Sequence, residues 1–306
     1  MLSPNDRGDT PANISLLAIV LNWNSESDTV ACVESLLAQR PGPPDILLVD
    51  NASTDGSGDR LRIRFPMVSY LQTGENLGYA GGNNRGIAWG LARGAEWLLV
   101  LNNDTVAEPD CIARLLEPVV ANDRLAATAP LIVRFDDPNC VWFAGGTFSR
   151  LRAVGQHNGE GRRVADVVDA AIDARQPRRC TFLSGCCMLI RARALDGAEA
   201  FREDFFAYVE DAELCLRLVS AGWELAWIPA ARLAHRVPPH LAPASPWQIV
   251  QRDRNRRRLV ASHYSGIARV KFYAWFWSSR LILLARYALA GDWERLQAII
   301  RGAREA

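Results

Sequence analysis

Five apolar residues followed at once by four polar ones constrain this chain most: Trp97-Leu98-Leu99-Val100-Leu101, then Asn102-Asn103-Asp104-Thr105. An unbroken apolar run of this length predicts a strand buried on both faces, as in a parallel sheet. In open α/β sheets, ligands sit beyond the carboxyl ends of the strands. Asp104 therefore stands where a carboxylate holds a divalent cation against a phosphate. The competing reading is an Asn-rich turn, because Asn and Asp bond locally to backbone.

The segments before it repeat the pattern. Ile14 to Leu21 predicts a strand ending in Asn22-Trp23-Asn24, and Ile46 to Val49 a second ending in Asp50-Asn51. Val30, Val33, Leu36 and Leu37 between them recur at helical spacing, with Pro41-Gly42 as the stop. Val68 to Leu71 is a third strand, so the first hundred residues read β-α-β-α-β. That alternation predicts a doubly wound, mostly parallel sheet. Asn76-Leu77-Gly78-Tyr79-Ala80-Gly81-Gly82-Asn83-Asn84 reads as a glycine-rich loop before a helix through Ile87 and Leu91. It lacks the G-K-[ST] of a phosphate loop and the G-x-G-x-x-G of a dinucleotide fold.

The chain of 306 residues carries net charge +1 and seven cysteines. Near-neutral charge gives no field that would draw it to nucleic acid. The cysteines form no C-x-x-C pair, which points to free buried thiols in a reducing cytosol. Met1 to Asn13 is polar, without the apolar core of a signal peptide. Adjacent Cys186 and Cys187 lie in the apolar run Phe182 to Ile190, and core burial is the preferred reading over a nucleophile. Gly155 to Arg179 is polar and aperiodic, which predicts a mobile loop.

In Phe205-Phe206-Ala207-Tyr208-Val209-Glu210-Asp211, two acids open a helix whose stripe is Leu214, Leu218 and Ala221. Acids there cap a helix against its dipole. The aromatic wall before them also suits a general base, because an apolar surround raises a carboxylate pKa toward working pH.

Taken together, the Asn22 loop, Val49 to Ser57, Asn76 to Asn84 and Leu101 to Thr105 resemble family 2 glycosyltransferases, most nearly their bacterial rhamnosyltransferase-like branch. The resemblance implies a GT-A α/β fold over about residues 1–240, with a helical extension over 241–306. It implies inverting transfer from a nucleotide-diphosphate sugar, dTDP- or UDP-linked, to a glycan or lipid-linked acceptor, with Mg²⁺ or Mn²⁺. It places nucleotide contacts at Asn22, Asp50, Asn76, Gly81, Gly82, Asn83, Asn102 and Asn103. Asp104 and His235 become metal ligands, and Asp211, ahead of Glu210, the base. The family's D-x-D is Asn102-Asn103-Asp104 here, so only its last position keeps a carboxylate. A metal-dependent nucleotidyltransferase or hydrolase, or a silent sugar-nucleotide-binding protein, are the alternative readings.

Arg252, Arg254, Arg256, Arg257 and Arg258 read as a solvated basic face. Phe272 to Trp277 is densely aromatic, and Arg280 and Arg286 break the apolar stretch, leaving it too short to cross a bilayer. Lys271, Arg280 and Arg286 spread around the helix axis. The extension therefore reads as a packing helix, a dimer surface or a peripheral membrane contact on a cytoplasmic enzyme.

Overall fold

The computed structural model describes residues 16–168, 174–197, 199–237 and 243–305. The polar stretch at residues 1–13, the first residues of the first expected strand and the expected boundary at 240 lie outside them. In chain order the elements are β1 (Leu16–Asn22), α1 (Glu26–Leu37), β2 (Asp45–Asp50), α2 (Ser57–Arg64), β3 (Ser69–Gln72), α3 (Gly78–Leu91), β4 (Trp97–Asn102), β5 (Thr105–Ala107), α4 (Cys111–Ala121) and β6 (Leu125–Arg134). There follow β7 (Val141–Phe143), β8 (Gly146–Ser149), β9 (Val154–His157), α5 (Val164–Val167), β10 (Arg178–Cys180), β11 (Cys187–Arg191), α6 (Glu210–Ser220), β12 (Glu224–His235), α7 (Pro246–His263), α8 (Gly266–Leu289) and α9 (Trp293–Arg304).

The main sheet runs β10-β12-β6-β11-β4-β1-β2-β3. β3, β2, β1 and β4 are mutually parallel, and so are β6 and β12, while β11 runs antiparallel between the two groups. This is the expected mostly parallel α/β sheet, with β4 buried near its middle. Helices are needed on both faces because such strands are apolar on both sides.

The glycine-rich stretch is a correction. Gly81, Gly82 and Asn83 are not a loop; they lie inside α3. An added Cβ on Gly82 would stand 2.5 Å from Leu21 Cδ1, on Gly86 2.5 Å from Ile19 Cγ2, and on Gly90 2.7 Å from Leu17 Cδ2. Four helical residues rise about 6 Å, and two strand residues about 6.7 Å. Glycines at spacing four therefore match alternate residues of β1, and the helix backbone lies directly on the strand. The packing offsets glycine's poor helix propensity, roughly 1 kcal/mol per residue.

The polar segment from Gly155 to Arg179 is also more ordered than its composition predicts. β9 pairs with β8, and β10 adds an antiparallel edge to β12. Residues 169–173 lie outside the description. Cys186 and Cys187 are buried, and burial pushes both thiols well above their usual pKa, as core residues require.

After 242, α9 packs on α7, and α7 is tied to the sheet domain by hydrogen bonds from Asn255 to the Phe205 carbonyl and from Arg256 to the Arg152 carbonyl. The arginine run is not a uniformly solvated face. Arg256 is buried and gives two hydrogen bonds to the Arg152 carbonyl, and Arg257 reaches the Gly302 carbonyl on α9. Phe272 and Phe276 of α8 are fully buried. Arg280 turns inward to Asp253. That leaves Ile267, Val270, Leu281, Ile282 and Leu289 exposed along α8, with Lys271 and Arg286 beside them. No helix among the described residues is long and apolar enough to cross a membrane.

Candidate active site

The carboxyl ends of β1 and β2 carry a closed polar network. Asn22 is fully buried, and its Nδ2 lies 2.9 Å from Asp50 Oδ1 and 3.0 Å from the Ser53 and Ser57 hydroxyls. Its carbonyl accepts the Thr29 hydroxyl at 2.8 Å. Asp50, 1% exposed, also accepts Ser53 Oγ at 2.5 Å and Gln72 Nε2 at 2.6 Å. Asn76 caps its own turn: Oδ1 accepts Gly78 N–H at 2.9 Å and Asn51 Nδ2 at 3.0 Å. Asn83 is buried, with Nδ2 on the Tyr79 carbonyl at 2.9 Å, while its Oδ1 has no partner. Gly81 and Gly82 face Leu77 and Leu21 within the protein.

Asn102 ends β4 with its N–H on the Cys186 carbonyl at 2.8 Å. Asn103 donates to the Thr29 hydroxyl at 2.8 Å and so ties the polar turn to α1. The last residue of β12, His235, is registered against Thr105 of β5. The Arg236 N–H also donates to the Asp104 carbonyl at 2.9 Å. This pairing brings His235 Nε2 to 3.1 Å from Asp104 Oδ1. Trp142 holds the imidazole in place, edge-on, with ring centroids 4.5 Å apart.

The Asp104–His235 contact is not an aligned hydrogen bond, since Asp104 Oδ1 is buried without a partner; the far nitrogen of the ring, His235 Nδ1, is buried without one as well. Two ligands at right angles on one cation, each about 2.1 Å away, stand about 3 Å apart. The separation and the donor set, one carboxylate and one imidazole, thus fit Mn²⁺ or Mg²⁺, with imidazole the better match for Mn²⁺. Among the described residues no third His, Cys, Asp or Glu completes a metal-binding group. A cation held by two protein ligands takes the rest of its coordination from water and substrate phosphate.

The acids lie across one turn. Residues Ser184 to Cys186 precede β11, where Cys186 receives Asn102 and the Gly185 N–H donates to Asp211 Oδ2 at 3.1 Å. Tyr79, from α3, donates its hydroxyl to the Gly185 carbonyl at 2.6 Å. A Cβ at 185 would lie 2.8 Å from that hydroxyl and would push the Tyr79 side chain off its bond. Asp211 Oδ1 accepts the Ala212 N–H at 2.7 Å. Burial pushes Asp211 above the usual carboxylate range, against the pull of these two N–H groups and the nearby Arg252 charge. Glu210 is pushed up much further, first by burial and then by the neighbouring Asp211 charge, and its Oε2 has no partner. Two adjacent acids in unlike surroundings separate into one that stays neutral and one that ionises more readily. Of the two, Asp211, with two N–H donors, is pushed up less than Glu210.

Sequence reasoning missed several residues here. Asn51 is buried and bonds Asn76, the Gly78 carbonyl and the Leu77 N–H, so it locks the turn that starts α3. Its signal was its place directly after Asp50. Tyr79 and Gly185 were read as parts of their segments, and nothing local marks their contact over 106 residues. Trp142 lay in a short apolar run with no visible link to His235.

Residues 18–197 match the family model described as glycosyl transferase family 2. The N-acetylglucosaminyl-diphospho-decaprenol L-rhamnosyltransferase of two Mycobacterium tuberculosis strains is 34% identical over 214 residues, covering 66% of this chain and 68% of that protein. Among solved structures, GalNAc-T7 with UDP, GalNAc and Mn²⁺ superposes at a TM-score of 0.66 with 16% identity over 87% of this chain. The chain spans about half, 51%, of that structure's length. The Pyrobaculum calidifontis mannosyltransferase PcManGT, with GDP-Man and Mn²⁺, superposes at 0.59 with 16% identity, covering 94% of this chain and 86% of its own. At these identities the two structures speak to the fold alone, and the fold they share is the GT-A α/β arrangement.

Proposed function

This chain belongs to glycosyl transferase family 2 and is a glycosyltransferase, and from that premise we propose that it inverts the anomeric centre of a sugar carried by a nucleoside diphosphate. Rhamnose from a dTDP donor is the first candidate, with UDP-hexoses next. The acceptor is a glycan, in the favoured case one on a lipid diphosphate, the class named for the mycobacterial relative.

One observation carries this reading. The turn at Gly185 and Cys186 is bonded on both sides: the Cys186 carbonyl accepts the Asn102 N–H, two residues before Asp104, at 2.8 Å, and the Gly185 N–H donates to Asp211 Oδ2 at 3.1 Å. Asp104 and His235 would hold the cation. Such a cation supplies charge neutralisation for the departing diphosphate. Asn102, Asn103 and the wall built on Asn22, Asp50 and Asn76 would line the donor side, with Asn83 and the glycine face of α3 behind it. Asp211 takes the proton from the acceptor hydroxyl as that oxygen attacks from the face opposite the diphosphate. Glu210, whose pKa burial and the Asp211 charge push up further, gives up its proton less readily than Asp211 and so competes less as a base. The aromatic residues before α6 exclude water from this step.

The exposed apolar stripe of α8 supports peripheral contact with the cytoplasmic face of a membrane, where a lipid-linked acceptor would be presented. A homodimer is the competing occupant of that stripe.

The test is NDP release over a panel of sugar nucleotides, with and without acceptor and Mn²⁺. Acceptor-dependent release supports transfer. Release to water alone favours a hydrolase, and nucleotide binding without turnover favours a silent binding protein.

A further inference from the structure

The acid pair is reached through backbone that L-residues rarely adopt. Phe206, Tyr208 and Val209 have φ of 63°, 71° and 76°. Positive φ is uncommon outside glycine and a true outlier for a β-branched residue such as Val209. Each such residue costs on the order of 1–3 kcal/mol and persists only where its surroundings over-determine it. Three in four positions, directly before Glu210, need a strong external hold.

The hold comes from α7. Asn255 is fully buried in the run that reads as a basic surface. Its Nδ2 lies 2.7 Å from the Phe205 carbonyl, 2.9 Å from Ala207 and 2.8 Å from Tyr208. One amide nitrogen has two hydrogens, so three carbonyls share them. Its own carbonyl receives Arg254 Nε at 3.1 Å, which fixes the amide's orientation. On the other side, the Phe206 carbonyl accepts the Ala80 N–H of α3 at 3.0 Å, and a Cβ on Gly78 would strike that carbonyl at 2.5 Å. Gln248 of α7 donates to the Tyr208 hydroxyl at 2.8 Å.

We propose that Asn255 is a positioning residue for glycosyl transfer: by gathering three carbonyls of the strained 205–208 segment, it sets where Asp211 stands relative to the acceptor. This rests on the reading of Asp211 as the base. The helical extension is then part of the catalytic apparatus.

The test compares the full-length chain carrying Asn255→Ala or Asn255→Asp with Arg257→Gln, which loosens α7 from α9 without touching residues 205–209. Turnover in the Asn255 variants is expected to fall about 10²-fold, the scale set by an ångström of misplacement. Donor KM and NDP affinity should stay within about twofold. Backbone hydrogen exchange over 206–212 should quicken in these variants and not in Arg257→Gln. Tyr208→Phe, which keeps the fold and loses only the Gln248 bond, should lose several-fold in turnover. If Arg257→Gln loses as much turnover as Asn255→Ala at equal melting temperature, the role is merely structural and the proposal falls. Unchanged exchange over 206–212 in the Asn255 variants also overturns it. If the unaltered chain transfers no sugar from any donor, the functional reading fails on its own, and the exchange measurement still decides whether Asn255 holds the segment.

Discussion

The polar residues at the ends of β1 and β2 and those at the start of α6 are of the same chemical kinds, and they are treated in opposite ways. Asn22 and Asp50 are saturated: four side chains and their own loop consume their donors and acceptors. Glu210 Oε2 has no partner and Asp211 has only two backbone N–H donors, and burial holds both acids above the usual carboxylate range. A fully satisfied buried network rigidifies. An under-satisfied acid in a dry site stays available to a proton. The first region is a wall, and the second is where the proposed proton transfer would take place.

The sharpest way to break this contrast is Asp211→Asn. Loss of a general base is worth about 10²–10⁴ in rate, roughly 3–5 kcal/mol of barrier. Single-turnover transfer should fall by that factor while the melting temperature and NDP affinity hold. Full activity would reduce the acid to a helix cap, since Asn caps as well as Asp. In the unaltered enzyme the acid limb of the rate profile should lie above the ordinary carboxylate range, because activity requires the ionised Asp211 and burial raises its pKa.

On the wall, Asp50→Ala should act on stability instead. It strands Asn22, Ser53 and Gln72 donors, and one buried unsatisfied group costs about 1–3 kcal/mol. A loss of about 3 kcal/mol in urea unfolding is expected. An unchanged midpoint would show that the network is not structural.

Asp104→Asn should leave the fold intact, because the side chain sits in a turn one-third exposed. Mn²⁺-dependent NDP affinity by calorimetry should drop about 10–100-fold, the scale of damage to a metal site's supporting groups. Equal affinity in the variant would remove Asp104 from the metal assignment.

Glu210→Gln has the opposite sign in stability. The folded pKa of Glu210 lies above its unfolded value, so its stabilising share is present below the unfolded pKa and is lost as pH rises through the folded one. Gln removes that loss. The variant should melt about 2–4 °C higher near pH 7, with the gain shrinking toward pH 4, and should keep most of its activity. A lower melting temperature at pH 7 would overturn the neutral assignment.

The smallest effect is expected on α8. Replacing Leu281 and Ile282 with Ser should reduce flotation with anionic vesicles and leave turnover on a water-soluble acceptor unchanged. Deleting from Lys271 would be a poor substitute, because it removes buried Phe272 and Phe276. Unchanged flotation alongside a shift to monomer in sedimentation would assign the stripe to a dimer.

Legibility followed the range of the cause. The buried runs of β1, β2 and β4, each ending in polar residues, were plain because strand burial leaves a contiguous local pattern. The glycines of α3 misled, because their spacing of four has meaning only beside Leu17, Ile19 and Leu21. β9 and β10 were missed because short strands at a sheet edge, with one open face, carry little hydrophobic period. Asn255 was invisible among arginines, because its partners are carbonyls 47 to 50 residues away, and backbone carbonyls have no letter in a sequence.

The sequence by itself determined the sheet's parallel half, the strand ends at which ligand chemistry gathers, and the types of residue offered there. Periodicity and side-chain chemistry are local properties, and they survive without coordinates. Only the tertiary structure decided which of those residues are already engaged. Asp211 owes its raised proton affinity to burial, set against the pull of the Gly185 N–H, 26 residues earlier in the chain. Asp104 meets His235 because β5 pairs with β12 across the sheet. Desolvation and hydrogen-bond satisfaction depend on every group packed around an atom, and the order of the chain does not say which groups those are.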